Sequence, residues 1–144
     1  MKKLFIGSDH GALELKQALV NHFSTVDDLD VTDCGTYSVE SVDYPDIAAD
    51  VVSRVLGAPN AIGILCCGTG IGISIKANRY KNIRAALVFD EFTAKMAKEH
   101  NNANILCLGG RTTQVNDAIK YVSIWLDADF ESGRHQRRLD KLDT

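Results

Sequence analysis

A chain of 144 residues with 45% hydrophobic content is the size of one compact domain and can bury a core without metal or disulfide staples. Lysine and arginine number 16 against 19 aspartates and glutamates, a formal net charge of −3, so no global basic field supports a nucleic-acid or anionic-membrane partner. Any anion site must be local.

The N-terminal stretch MKKLFIGSDHGALELK reaches Asp9 after an apolar run too short for a signal-peptide core or a membrane span. A cytoplasmic protein is therefore expected. Residues 3–8 read as a first strand ending at glycine and serine, and 11–23 as a helix with Leu13, Ala18, Leu19 and Phe23 near helical period. A second strand is expected over 29–35. A turn-rich segment then leads to a helix from about Pro45, where proline suits a first turn. AIGILC at 61–66 is apolar without alternation, and the glycine loop after it opens a helix through SIKANRY. A fourth strand over 83–89, a helix over 90–100, a fifth strand over 103–110 and a helix over 114–127 follow, with a last helix expected from about Glu131 to Leu142.

Apolar strands alternating with helices indicate a parallel sheet covered on both faces. The expected class is α/β: a doubly wound, five-stranded, Rossmann/flavodoxin-like three-layer sandwich with a C-terminal helix, one domain over 1–144. In such sheets ligands bind outside the carboxyl ends of the strands, where strand order reverses. For the common order 2-1-3-4-5, that crevice opens between strands one and three, and Asp9, His10 and the Cys67 loop share it.

LCCGTGIGIS at 65–74 carries the chemistry. A triphosphate loop needs GxxxxGK, and a dinucleotide fingerprint needs GxGxxG; the spacing here is GxGxG. Adjacent strand residues project to opposite faces, so Cys66 and Cys67 do not chelate one ion, and thiol exchange would more plausibly show CxxC. Cys34, Cys66 and Cys107 read as small buried hydrophobes. A thiol ending a strand just before helix-opening amides has its thiolate favoured, so Cys67 reads as reactive. The glycine amides can also hold an oxyanion. Together they suggest acyl transfer, or proton transfer beside a carbonyl.

Arg134 and Arg138 share one helix face at i, i+4, which suits either a phosphate grip or a solvated basic face. His100 reads either as an acid/base group or as a helix C-terminal histidine favoured by the dipole. His22 reads as structural or solvent-facing.

GSDHGA at 7–12, DYP at 43–45, CGTGIGISIKANR at 67–79, EHNNAN at 99–104 and GRHQRR at 133–138 together resemble the type B ribose-5-phosphate isomerases, a family that includes allose- and galactose-6-phosphate isomerases. The resemblance runs almost the whole length. It implies interconversion of an aldose phosphate and its ketose through an enediolate, without metal or organic cofactor. Cys67 matches the family's base, and His100 matches the residue that helps open the sugar ring, with Asp9 and Thr69 assisting. The loop Gly68, Gly70, Ile71 and Gly72, with Asn101, matches the anion hole, while His10, Arg134 and Arg138 match phosphate contacts. Tyr44, Ser74 and Arg111 complete the expected substrate-binding set.

Family sites are built across a dimer, so a homodimer or a dimer of dimers is expected, with the site at the interface. Some members carry a glutamate along this loop as base; here the loop reads CGTGIGIS, with Ser74 and no acid. The tail reads SGRHQRR where many members have a second glycine. Retention of the CGTG, HN and GRH sets favours ribose 5-phosphate. The alternatives are a six-carbon sugar phosphate as substrate, or a non-catalytic sugar-phosphate or nucleotide binder on the same fold.

Overall fold

A computed structural model describes residues 1–144. Five parallel strands, β1 (Lys2–Ser8), β2 (Leu29–Asp33), β3 (Ile62–Cys67), β4 (Ala85–Leu87) and β5 (Ile105–Gly109), alternate with helices α1 (Leu13–Phe23), α2 (Tyr44–Leu56), α3 (Ile71–Ala77), α4 (Glu91–Glu99) and α5 (Val115–Asp127); α6 (Arg134–Leu139) ends the chain. A short 3-10 turn over His10–Ala12 joins β1 to α1. The α/β sandwich read from the sequence is the fold observed.

The strand order is β2-β1-β3-β5-β4, not the expected 2-1-3-4-5. Burial explains the exchange. Every residue of β5 is buried, as the interior of a doubly covered sheet requires, whereas the three residues of β4 are all half-buried and suit an edge. β1 and β3 still lie side by side, with Ser8 level with Cys66, so the crevice stays where it was expected. Both edge strands are shorter than anticipated, as is α6.

Two cores sandwich the sheet. On one face Leu15, Leu19 and Phe23 of α1, Ala94 and Ala97 of α4, and Val122 and Trp125 of α5 pack on Leu4, Ile6, Ile64 and Leu106. On the other, Val51, Val52 and Val55 of α2 and Ile73 and Ala77 of α3 pack on Phe5, Leu65, Ile105 and Cys107. Strand alternation sends Cys66 into the first core and Cys67 into the second.

Lys16 on α1 is fully buried and spans to Asp33 at the end of β2, its Nζ donating to both carboxylate oxygens at 2.7 and 2.9 Å. Asp33 Oδ1 also accepts from the Gly35 amide at 2.9 Å. The pair ties α1 to β2 and satisfies an ammonium that would otherwise be costly to bury. No helix is long and apolar enough to cross a membrane.

Candidate active site

Cys67 is the last residue of β3 and is 5% exposed. The chain turns sharply there, and Gly70 adopts φ 79° as the cap of α3. A Cβ at Gly70 would lie 2.7 Å from Leu87 Cδ1 and 2.9 Å from the Leu108 carbonyl carbon, so both conformation and space demand glycine. In this turn the Gly70 amide donates to Cys67 Sγ at 3.1 Å. The sulfur thus faces a backbone donor at the start of α3.

At the other cysteines burial dominates. Burial pushes the Cys66 and Cys107 thiols far up, and Cys34 up to about 11. They are inert, packed thiols. The adjacent pair therefore divides as strand geometry requires, one thiol into each core.

Several expected site residues gather at this carboxyl edge. Asp9 follows β1, 8% exposed, and its Oδ1 accepts from the Gly11 amide at 2.9 Å. His10 Nδ1 accepts from the Val42 amide at 3.2 Å, which leaves Nε2 free for another partner. Tyr44 stands over Gly72, where a Cβ would come within 2.7 Å of the phenol ring. The Arg111 amide donates to the Gly68 carbonyl at 2.9 Å, and its guanidinium arches over the same glycine. Thr69 Oγ1 is exposed and accepts from the Ile71 amide at 3.3 Å; the Ser74 hydroxyl donates to the Ile71 carbonyl at 2.7 Å. Ile71 itself is 52% exposed. A cleft of about 320 Å³ includes His10 and Gly110.

The remaining expected residues are elsewhere. His100 caps the C-terminal end of α4 and Asn101 follows it, both ahead of β5, so they lie at the amino edge of the sheet. Asn101 lines a cleft there with Arg84, Ala85 and Leu139. Arg134 and Arg138 ride on α6, exposed, beside the same edge. Cys67 is level with Gly109, the end of β5, while Ile105 begins it. Four strand steps of about 3.3 Å put about 13 Å between the two groups within one chain. The largest cleft, of about 610 Å³ and lined by Lys2, Arg84 and Lys98 among others, also opens at the amino edge and contains none of the Cys67 loop.

Two residues that sequence reasoning passed over sit against His100. The His135 ring, 6% exposed, stacks on the His100 ring with centroids 4.1 Å apart and planes within 16°. Glu131 Oε1 lies 3.6 Å from His100 Nε2 and 3.5 Å from His135 Nε2. The i, i+4 spacing of Glu131 and His135 was visible in the sequence; their meeting with α4 was not.

The overall fold recurs in solved structures. A ribose 5-phosphate isomerase from Thermotoga maritima superposes with a TM-score of 0.94 at 49% identity, covering 98% of this chain and 97% of that one. Ribose-5-phosphate isomerase B from Mycoplasma genitalium, solved with bound ribulose-5-phosphate, superposes at 0.93 with 43% identity over 98% and 93% of the two chains. Ribose-5-phosphate isomerase B of Escherichia coli is 40% identical over 142 residues, 99% of this chain and 95% of that protein. The sequence pattern described as Ribose/Galactose Isomerase matches residues 4–142, and with these likenesses it shows that the chain belongs to the ribose/galactose isomerase family.

Proposed function

We propose that this protein interconverts ribose 5-phosphate and ribulose 5-phosphate through an enediolate, with Cys67 as the base. The observation that carries the reading is the Gly70 amide donating to Cys67 Sγ at 3.1 Å, at the carboxyl edge beside Asp9. The thiolate takes the C2 proton of the open-chain aldose and the thiol so formed, which exchanges with solvent, delivers a proton to C1, while the C2 hydroxyl proton passes to O1, to give the ketose. A proton next to a carbonyl is too weakly acidic for a thiolate unless the developing oxyanion is stabilised. The amides of the Gly68–Gly72 loop, with Asn101, supply that stabilisation. His100 exchanges protons with the ring oxygen and the anomeric hydroxyl during ring opening, assisted by Asp9 and Thr69. His10, Arg134 and Arg138 hold the phosphate, and Tyr44, Ser74 and Arg111 line the substrate's path.

These residues belong in one pocket, yet within one chain they stand at opposite edges of the sheet. A second copy, placed so that its amino edge meets this chain's carboxyl edge, unites them. The active unit is therefore a homodimer with two composite sites. Ile71 and Ile75, each 52% exposed at i, i+4 on α3 beside the loop, offer an apolar surface for the partner. The bound ribulose-5-phosphate of the M. genitalium relative supports the substrate assignment.

The test is a solvent-proton-exchange and ketose-formation assay over five- and six-carbon aldose phosphates. Ribose 5-phosphate should turn over fastest, and Cys67→Ala should abolish turnover while substrate still binds. Turnover of a six-carbon phosphate alone would move the substrate assignment, and retained isomerisation in Cys67→Ala would remove the base.

A further inference from the structure

His135 is the single buried residue of α6, in a helix whose other charged residues, Arg134, Arg137 and Arg138, all face solvent. Its Nε2 is enclosed and has no hydrogen-bond partner within range. A buried, unpaired polar atom costs free energy, so its position calls for an explanation. Three contacts bear on it. The ring lies flat on His100. Its Nε2 and that of His100 both face one oxygen of Glu131. The Glu131 amide donates to the Glu99 carbonyl at 2.9 Å, which pins the segment leading into α6 to the last turn of α4, one residue before His100.

Two imidazoles and a carboxylate within 4.8 Å of one another resemble a metal ligand set. The ring geometry argues otherwise. Nearly parallel rings send their nitrogen lone pairs side by side, whereas ligands of one ion must converge on it. A carboxylate 3.5 and 3.6 Å from the two nitrogens acts on them electrostatically instead, and neighbouring carboxylates commonly orient functional imidazoles.

We infer that Glu131 and His135 are positioning residues for His100: the buried ring fixes the plane of the His100 imidazole, and the Glu131 carboxylate, 3.6 Å from its Nε2, orients that edge of the ring. This rests on the reading of His100 as the ring-opening group. Ring opening breaks the bond between C1 and the ring oxygen, delivers a proton to that oxygen, and removes one from the anomeric hydroxyl. An imidazole that must give one proton and take another needs a defined orientation and protonation state.

The charges around the stack fit this role. Burial, with the charges of His100 and Arg134 next, lowers the pKa of His135, and Arg138 acts in the same sense; Glu131 alone opposes them. These surroundings disfavour charge on His135, the ring that only stacks.

The two directions of the reaction separate this role from a structural one. Ribose 5-phosphate closes a furanose ring, whereas ribulose 5-phosphate, its C5 hydroxyl esterified, cannot. Exchange of the ribulose 5-phosphate C1 proton with deuterated solvent thus reports enediolate chemistry without ring opening. Glu131→Gln and His135→Ala should each lower kcat for ribose 5-phosphate about tenfold with KM little changed, while C1 exchange stays within about twofold of wild type. His135→Phe, which keeps the stacked ring, should recover most of the loss, and Glu131→Gln should displace the pH profile of ribose conversion. Equal losses in both reactions would show a merely structural role and overturn the inference, as would no loss in either. His100→Asn is the reference: if it spares ribose conversion, the reading of His100 falls and this inference with it. If it stops ribose conversion while Glu131→Gln and His135→Ala behave as wild type, only the positioning role falls.

Discussion

Cys67 and His100 stand at opposite ends of the sheet: Cys67 closes β3 level with Gly109, whereas His100 ends α4 ahead of Ile105, where β5 begins. Helices in a parallel α/β sheet run back from the carboxyl edge to the amino edge, so a residue ending such a helix never shares an edge with one ending a strand. Two residues of one proposed reaction are thus held apart by topology itself.

The turn that holds Cys67 should be intolerant of change at Gly70. A Cβ there would meet Leu87 and the Leu108 backbone in a residue already at φ 79°, so Gly70→Ala must shift the amide that faces the thiolate. Losing one preorganised donor typically costs about 100-fold in kcat. We expect a kcat loss of that size in Gly70→Ala with KM less affected, and steady-state kinetics with wild-type values would show the donor to be dispensable.

Arg134→Ala and Arg138→Ala should chiefly weaken substrate affinity. Each removes one guanidinium from a phosphate grip, and a charge-assisted hydrogen bond is worth about 1.5–3 kcal/mol. The expected rise in KM for ribose 5-phosphate is therefore about tenfold or more. Affinity unchanged in both variants would return the two arginines to a solvated basic face.

The buried Lys16–Asp33 pair makes a stability prediction. Removing one partner strands the other charge, and because the Asp33 side chain is 31% exposed, part of that cost is recovered in water. Lys16→Met should lower unfolding stability by about 2 kcal/mol, seen as a lower urea midpoint with an unchanged slope. A midpoint at or above that of wild type would mean that the pair adds nothing over an apolar side chain.

Lys98 gives a pH dependence of opposite character. Burial, with the charge of Lys2 next, pushes its amine down to about 8, and its Nζ lies 5.1 Å over the Trp125 ring. The unfolded amine keeps its proton to about 10.5. Between pH 8 and 10.5 the unfolded chain binds more protons, so this group makes stability rise with pH through that window and weighs against folding below it. Lys98→Met should stabilise the fold at pH 7 by about 1 kcal/mol, a modest figure because Lys98 lines the amino-edge cleft and a cation–π contact is lost. The advantage should shrink from pH 8 upward; urea unfolding of both proteins at pH 7 and 10 measures it, and a constant difference would place the perturbed amine elsewhere.

Much of this was legible in the residues. Apolar strands such as AIGILC declared a doubly covered sheet, and the opposite directions of Cys66 and Cys67 followed from strand period alone. What period does not encode is the neighbour of each strand. β4 and β5 both read as apolar runs, and only the burial of β5 on both faces shows why it displaced β4 from the sheet interior. The same limit hid Lys16, whose partner lies 17 residues on, and the stack of His100 with His135, which is made between α4 and α6. Motifs ordered along the chain likewise concealed that CGTG and EHNN lie at opposite edges.

Mixed dimers test the central claim most directly. Cys67→Ser and His100→Asn homodimers should each be inactive. After dissociation and reassembly of an equal mixture, half of the dimers carry one of each chain, and one of the two sites in such a dimer pairs an intact Cys67 with an intact His100. A composite site therefore predicts recovery of about a quarter of wild-type activity. No recovery, with mixed dimers demonstrably formed, would mean that each site is completed within one chain and would contradict the account.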